Sequence, residues 1–187
     1  MVGPITYRKY DENPYAFLVE QILSQMLSAR VADVIAGRLI ALCGGTLTPD
    51  AIRALSDEQI RGVGTSNAKV RFIRALTEAV DSGALDFAAL PGLSDAEVMK
   101  ALTAVRGIGT WSAKMYLLFV LDRPDVLPFE DVAFLQGYGW AYNTRDFSPA
   151  AVRKKCAKWK PYSSIAARFM YRALDKGLTK EEFHLFK

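Results

Sequence analysis

The chain has little histidine and little cysteine, and this scarcity limits its chemistry. Among 187 residues there is one histidine, His184, and there are two cysteines, Cys43 and Cys156. One histidine excludes zinc sites built on several histidines and disfavours Ser-His-Asp and Cys-His catalytic centres. The two cysteines stand far apart in sequence, which argues against a disulfide framework or a thiolate metal cluster. Catalysis must therefore rest on carboxylates, hydroxyls or lysines.

Long apolar runs are also absent. The longest, around Tyr116 to Leu121, is far too short to cross a bilayer, and Met1 to Tyr10 lacks the apolar run of a signal peptide. We therefore expect no membrane association and a cytoplasmic location, which in a prokaryote would be at the nucleoid.

Charge of one sign is only slightly in excess. The net charge is +4 and the pI is near 9.1, which favours a polyanionic partner, although many proteins that never touch nucleic acid share this balance. Hydrophobic residues make up 51% of the chain, enough for one compact domain or two small lobes with a shared core. No large second domain fits.

Helix start and stop signals recur along the chain, and no alternating strand pattern separates them. The expected helices are Pro14 to Leu23, Ala29 to Leu42 after Ser28, one from Thr48-Pro49, one each from the capping boxes Ser56/Gln59 and Ser94/Glu97, one from Ser148-Pro149 to Lys160, and a last from Ser163 or Ser164 to near Gly177. The short loops between them predict an all-α fold of antiparallel neighbours.

A glycine turn joins two helices between about residues 98 and 120. Gly107-Ile108-Gly109 permits a tight turn, and the helix from Thr110 then points several backbone N–H groups outward with a positive helix end behind them. Such a nest suits a phosphate, but the same turn often serves packing alone. Residues 61–69 repeat the pattern of residues 106–114 and form an internal echo of this turn.

Three motifs in order carry a resemblance to a known family. They are Gly107-Ile108-Gly109-Thr110-Trp111-Ser112-Ala113, Val126-Leu127-Pro128-Phe129-Glu130-Asp131 and Trp159-Lys160-Pro161-Tyr162-Ser163. They resemble the HhH-GPD superfamily of base excision glycosylases, and within it the bacterial 3-methyladenine DNA glycosylases of type II. The resemblance covers about Asn13 to Leu174. It implies a helix-hairpin-helix fold, with two small helical lobes and the active site between them, as one domain over residues 1–187 without an N-terminal β domain.

The resemblance also implies site residues. Asp131 matches the family's catalytic aspartate, and a carboxylate suits the positive charge that develops on the sugar as an N-glycosidic bond breaks. A shift of one residue would give this role to Glu130. Gly107, Gly109 and Thr110 would bind phosphate.

The wedge that fills the gap left by a flipped base maps onto the first interhelical loop. Gln25 and Met26 match the family's DNA-binding loop, with Leu27 as the alternative wedge, although a methionine between helices is more often core.

The rings expected to bind an electron-poor alkylated base are Trp111 and, with less support, Tyr116. Met115 and Met170 stand where relatives carry pocket aromatics, which leaves the substrate range open. Other rings that could contribute are Tyr15, Trp140, Tyr142 and Tyr162, all at spacings that also suit a core.

Several further properties follow from the resemblance. Trp111 stands where bifunctional relatives carry a Schiff-base lysine, so no lyase step is expected. Cys156 alone in the second half excludes the family's iron-sulfur cluster, and no cofactor is expected beyond Na⁺ or K⁺ on the hairpin carbonyls of Thr103, Val105 and Ile108.

The expected partner is double-stranded DNA with damaged bases, bound by a monomer. Basic residues after Ser148 either line the DNA channel or form an ordinary solvated face: Arg153, Lys154, Lys155, Lys158 and Lys160. The expected activity is monofunctional excision of alkylated purines. Two alternatives stay open: a glycosylase of this fold for an oxidised or mismatched base, and a non-catalytic DNA-binding module.

Overall fold

The computed structural model describes Gly3 and residues 12–181, which leaves His184 and most of the first eleven residues outside the description. The α-helices in the described part are α1 Pro14–Ser24, α2 Ala29–Leu42, α3 Pro49–Arg53, α4 Asp57–Gly62, α5 Asn67–Asp81, α6 Asp95–Thr103, α7 Thr110–Phe119, α8 Val132–Tyr142, α9 Pro149–Cys156 and α10 Ser163–Asp175. Short 3₁₀ turns span Leu90–Gly92, Ala157–Trp159 and Leu178–Lys180. No β-strand occurs in these residues, so the predicted all-α class is confirmed.

The described residues form two compact units, which we call the N-terminal unit (residues 12–121) and the C-terminal unit (residues 122–181). In the N-terminal unit α1 is the central helix and packs against α2, α5 and α7. Its residues Leu18, Val19, Ile22 and Leu23 are completely buried. The helix that leads into the predicted wedge loop therefore rests in the core of this unit.

In the C-terminal unit α10 packs against α8. The helices come close because Gly137 faces Met170, where an added Cβ would lie 2.6 Å from the Cβ of Met170. Phe134 and Tyr138 of α8 are fully buried beside this crossing. The tight contact holds the start of α8, which carries Asp131 at its N-terminal end.

The helix caps confirm most of the sequence-based expectations. Thr48 and Ser148 accept from backbone N–H groups three residues on, and both predicted capping boxes form, Ser56 with Gln59 and Ser94 with Glu97. Ser28 does precede α2, but its side chain makes no capping hydrogen bond.

The predicted start and end of the last two helices need correction. The N-cap of α10 is Tyr162, and Ser163 and Ser164 lie inside the helix. Their hydroxyls are committed elsewhere: that of Ser163 donates to Asp125, and that of Ser164 accepts from the N–H of Val126 at 2.9 Å. Long-range hydrogen bonds thus replace local capping. Similarly α9 ends at Cys156 rather than Lys160, and a 3₁₀ turn follows.

Within the described residues, no helix combines the length and the apolar character that a membrane span requires.

Candidate active site and nucleic-acid interface

The glycine turn between α6 and α7 adopts the predicted helix-hairpin-helix form, and its two glycines differ in what they require. Gly107 has φ +97°, and a Cβ there would lie 2.3 Å from Cγ of Phe72, so both backbone and packing demand glycine. Gly109 has φ −95° and its added Cβ would meet nothing within 4 Å. Gly109 therefore keeps an exposed surface free of a side chain, directly before α7.

The start of α7 lacks a side-chain cap, because its N-cap is Gly109. Helix α5, which follows the echo turn, is different: Ser66 accepts from the N–H of Lys69. The N-cap residue of α7 thus places no hydrogen-bonding side chain at the positive end of the helix dipole. This is the chemistry that a phosphate needs.

The internal echo is real but its register is shifted. Gly64, with φ +106°, occupies the position of Gly107, three residues before the first residue of the next helix in both turns. The sequence repeat had paired Gly64 with Gly109 instead. The structural repeat therefore runs two residues out of step with the sequence repeat.

The loop after α1 exposes a methionine completely. Met26 is 100% exposed and has φ +59°, a left-handed conformation that non-glycine residues seldom adopt. Leu27 beside it is 40% exposed. A fully solvated apolar side chain on a strained backbone is not a core residue, so the ordinary explanation for a methionine between helices does not hold here.

The same loop is tied to the hairpin. The side-chain amide of Gln25 donates to the carbonyl of Gly107 at 2.9 Å. The amide nitrogen of Gln25 therefore holds the loop against the turn, and its predicted contact with DNA stays a prediction.

Asp131 is the N-cap of α8 and is only 8% exposed. Its Oδ1 accepts from the N–H of Phe134 at 2.7 Å, while its own N–H donates to the carbonyl of Pro128 at 3.0 Å. The carboxylate thus sits at the positive end of helix α8. Glu130 is exposed. Of the two carboxylates that the sequence left open, Asp131 is the one that is buried and that caps a helix.

Tyr171 contacts the predicted catalytic carboxylate, and the sequence analysis did not single it out. Its hydroxyl hydrogen-bonds to the Asp131 carboxylate, and its pKa lies well above the ordinary value because of burial first and the charge and hydrogen bond of Asp131 second. It therefore remains a protonated donor at neutral pH. Its position, forty residues from Asp131, leaves no local signal in the sequence.

The two rings predicted to bind the base differ in burial. Trp111, the second residue of α7, is half-buried. Tyr116 is 1% exposed and lies between Phe17 and Phe87, with both ring centroids 6.2 Å away. Tyr116 is thus a core residue of the N-terminal unit, and its place in a base pocket stays a prediction that these contacts do not favour.

The other aromatic candidates divide in the same way. Tyr15 is buried and hydrogen-bonds to Thr77 at 2.7 Å, whereas Tyr162 is 59% exposed. Trp140 donates from its indole nitrogen to the carbonyl of Glu181, and Tyr142 stacks against Trp159.

The five basic residues that the sequence proposed for a DNA channel are exposed, and three of them lie over rings; they are Arg153, Lys154, Lys155, Lys158 and Lys160. The guanidinium of Arg153 is 4.4 Å from the ring centre of Phe129, and Lys155 and Lys158 flank Tyr142 at 5.2 and 5.1 Å. These contacts orient positive charge at the surface without fixing its use.

Three comparisons place these features among known proteins. The family model of the HhH-GPD superfamily base excision DNA repair proteins matches residues 19–161. A DNA-3-methyladenine glycosidase from Bacillus halodurans superposes with a TM-score of 0.82 at 35% identity, over 95% of this chain and 82% of that one. The Schizosaccharomyces pombe 3-methyladenine DNA glycosylase in complex with abasic DNA gives a TM-score of 0.86 at 28% identity, over 93% and 87%.

The resemblance to the bacterial type II enzymes is also found. The DNA-3-methyladenine glycosylase 2 of Escherichia coli is 27% identical over 158 residues, which are 79% of this chain and 53% of that protein. The chain thus spans about half of this bacterial relative and more than four fifths of each of the two solved structures.

Proposed function

This chain belongs to the HhH-GPD superfamily of base excision DNA repair proteins, and from that premise we propose that it is a monofunctional DNA glycosylase for alkylated purines. The relatives named as 3-methyladenine glycosylases support this substrate class. The observation that carries the proposal is Asp131, a buried carboxylate held by the start of α8 and by the Tyr171 hydroxyl.

Asp131 acts on the sugar. As the N-glycosidic bond breaks, positive charge builds on the ring, and a fixed carboxylate stabilises it and orients the attacking water. The N–H of Phe134 and the hydroxyl of Tyr171 fix the carboxylate before the reaction, so little reorganisation is needed at the transition state. The glycosidic bond of an alkylated purine is already weakened, which reduces the need for a strong general acid.

Double-stranded DNA is bound by the hairpin and the loop of the N-terminal unit. The start of α7, with Gly109 and Thr110, binds a phosphate through backbone N–H donors, and Gly107 shapes the turn. Met26 is the wedge, because its full exposure leaves it free to enter the base stack. The protein acts as a monomer in this proposal.

Trp111 is the ring that stacks on the extruded base, and as a tryptophan it cannot form a Schiff base. We therefore include no lyase step and no cofactor in the proposal. A backbone carbonyl is a suitable oxygen ligand for Na⁺ or K⁺. The carbonyl of Val105 already accepts from the N–H of Ile108 at 3.1 Å, so one lone pair remains for such an ion beside Thr103 and Ile108.

The test is release of free 3-methyladenine and 7-methylguanine from alkylated duplex DNA, with strand breaks scored before and after alkali. Wild type should release both bases, with breaks only after alkali. Asp131→Asn should fold and bind DNA but release almost no base, because asparagine still caps α8 but carries no charge.

Glu130→Gln is the matched control, since it removes the neighbouring exposed charge and should retain activity. Breaks without alkali would refute the monofunctional assignment. Release of only oxidised or mismatched bases would refute the alkylpurine assignment, and an Asp131→Asn enzyme with full activity would refute the catalytic role of Asp131.

A further inference from the structure

Lys69 makes an unusual contact with the end of α1. Its ammonium group donates to the carbonyl of Leu23 at 2.7 Å and to the carbonyl of Gln25 at 2.8 Å. Both carbonyls lie at the C-terminal end of the helix, where the backbone acceptors lack partners within the helix. The ammonium therefore supplies the cap that the end of α1 requires, and its charge matches the negative end of the helix dipole.

This end of the helix needs such support because of the residue that follows it. A helix often ends with glycine in the left-handed conformation, and here Met26 occupies that position with φ +59°. Within the loop, the N–H of Leu27 donates to the carbonyl of Ser24 at 3.1 Å. Without side-chain anchors, the backbone would relax from this strained conformation.

The chain supplies Lys69 from the echo turn, which the proposed function leaves without a role. Lys69 stands in the first turn of α5, where its own N–H donates to the Ser66 hydroxyl. Arg38 donates to the carbonyl of Val63 at 3.2 Å and so holds the turn that precedes α5. The turn before α5 thus positions Lys69. The turn before α7 leads into a helix whose N-cap, Gly109, has no side chain.

We propose that Lys69 is a positioning residue that locks the loop of residues 24–27, so that Met26 is held ready to enter the base stack. This inference rests on the proposed function, in which Met26 is the wedge. Partial burial lowers the pKa of the Lys69 ammonium, which accords with its half-buried position beside the two carbonyls. Gln25 is the second anchor, through its bond to Gly107.

The first arm of the test examines the free protein and needs no DNA. Lys69→Met keeps the length of the side chain but removes its donors, and Lys69→Arg keeps a cationic donor. The readout is hydrogen exchange of the Leu27 amide by NMR. We expect exchange at least about tenfold faster in Lys69→Met and near the wild-type rate in Lys69→Arg. Lys180→Met, the loss of an exposed lysine in the other unit, is the control for charge.

The second arm measures what the wedge does. A duplex with an abasic analogue beside 2-aminopurine reports unstacking as fluorescence at saturating protein. Lys69→Met should give less unstacking and about tenfold slower single-turnover base release, because a small misplacement of a positioned group has a large kinetic cost. Lys69→Arg should restore most of both signals, and Lys180→Met should change neither.

The outcomes separate the two proposals. If wild type releases no base, the proposed function fails, while the Leu27 exchange still decides whether Lys69 locks the loop. If Lys69→Met weakens DNA binding but leaves Leu27 exchange and unstacking unchanged, Lys69 is a DNA contact and the inference is wrong. An equal loss in Lys69→Met and Lys69→Arg, with lower thermal stability in both, would also overturn it, since it would show a purely structural role.

Discussion

The side chain of Gln25 and the backbone of Gly107 are joined by a 2.9 Å hydrogen bond across 82 positions of sequence. It links the loop that exposes Met26 to the turn that begins the uncapped helix α7. The two parts of the proposed DNA interface therefore form one connected surface within the N-terminal unit. A change in either part should affect the other.

Met26→Ala should uncouple stability from activity. The side chain is fully exposed, so its loss should change the free energy of unfolding by no more than about 0.5 kcal/mol. Base release from duplex DNA should nevertheless fall, because alanine cannot fill the gap left by the extruded base. Chemical denaturation and single-turnover release measure the two effects.

Two companion variants sharpen this prediction. Met26→Gly should stabilise the protein by up to about 1 kcal/mol, because glycine tolerates φ +59°, and yet it should also slow base release. Leu27→Ala tests the alternative wedge. Normal activity in Met26→Ala together with a strong loss in Leu27→Ala would transfer the wedge role to Leu27.

Gly107→Ala should lower stability, whereas Gly109→Ala should lower DNA affinity. An alanine at 107 would face φ +97° and a contact of 2.3 Å with Phe72, so it should destabilise the protein by more than about 2 kcal/mol. An alanine at 109 meets open space in an ordinary backbone conformation, so stability should change little. DNA affinity should fall nevertheless, since the methyl group blocks close approach of a phosphate.

The measurements are thermal unfolding and binding to an abasic duplex at several salt concentrations. Gly64→Ala is the control for a left-handed glycine in the echo turn: it should lose stability, while any remaining folded protein keeps its DNA affinity. Full DNA affinity in Gly109→Ala would contradict the assignment of α7 as the phosphate site.

The sequence predicted the elements that depend on local signals. The helix starts at Thr48, Ser56, Ser94 and Ser148 were predicted correctly. Each cap is a local contact, because the side chain accepts from a backbone N–H three residues later in the sequence. The start of α10 was wrong because Ser163 and Ser164 bond to a segment 38 positions earlier. Among the proposed site residues, Tyr171 and Lys69 were missed for the same reason: each acts through a partner far away in sequence.

The contribution of Tyr15 to the free energy of unfolding should fall as the pH rises above about 10. Burial raises the pKa of Tyr15 from 10.0 to about 12, so the folded state holds its proton more tightly than the unfolded state. Its contribution is complete below pH 10, declines as pH rises, and is lost above the folded pKa; the loss is about 1.4 kcal/mol at about pH 11. The difference in unfolding free energy between wild type and Tyr15→Phe should decrease by this amount between about pH 9 and about pH 11. A constant difference would show that Tyr15 does not titrate differently on unfolding.

Tyr171→Phe should slow base release without weakening DNA binding. The change removes the hydroxyl that donates to Asp131 and with it one of the contacts that orient this carboxylate. We expect about a tenfold lower single-turnover rate, because the carboxylate is less firmly positioned. Tyr138→Phe is the matched control, because the Tyr138 hydroxyl is buried and has no hydrogen-bond partner in the described part of the chain. Removing that hydroxyl should leave the rate unchanged and leave stability equal or higher, since an unsatisfied buried group is lost. A Tyr171→Phe enzyme with the wild-type single-turnover rate would show that the Tyr171 hydroxyl does not position the Asp131 carboxylate for base release.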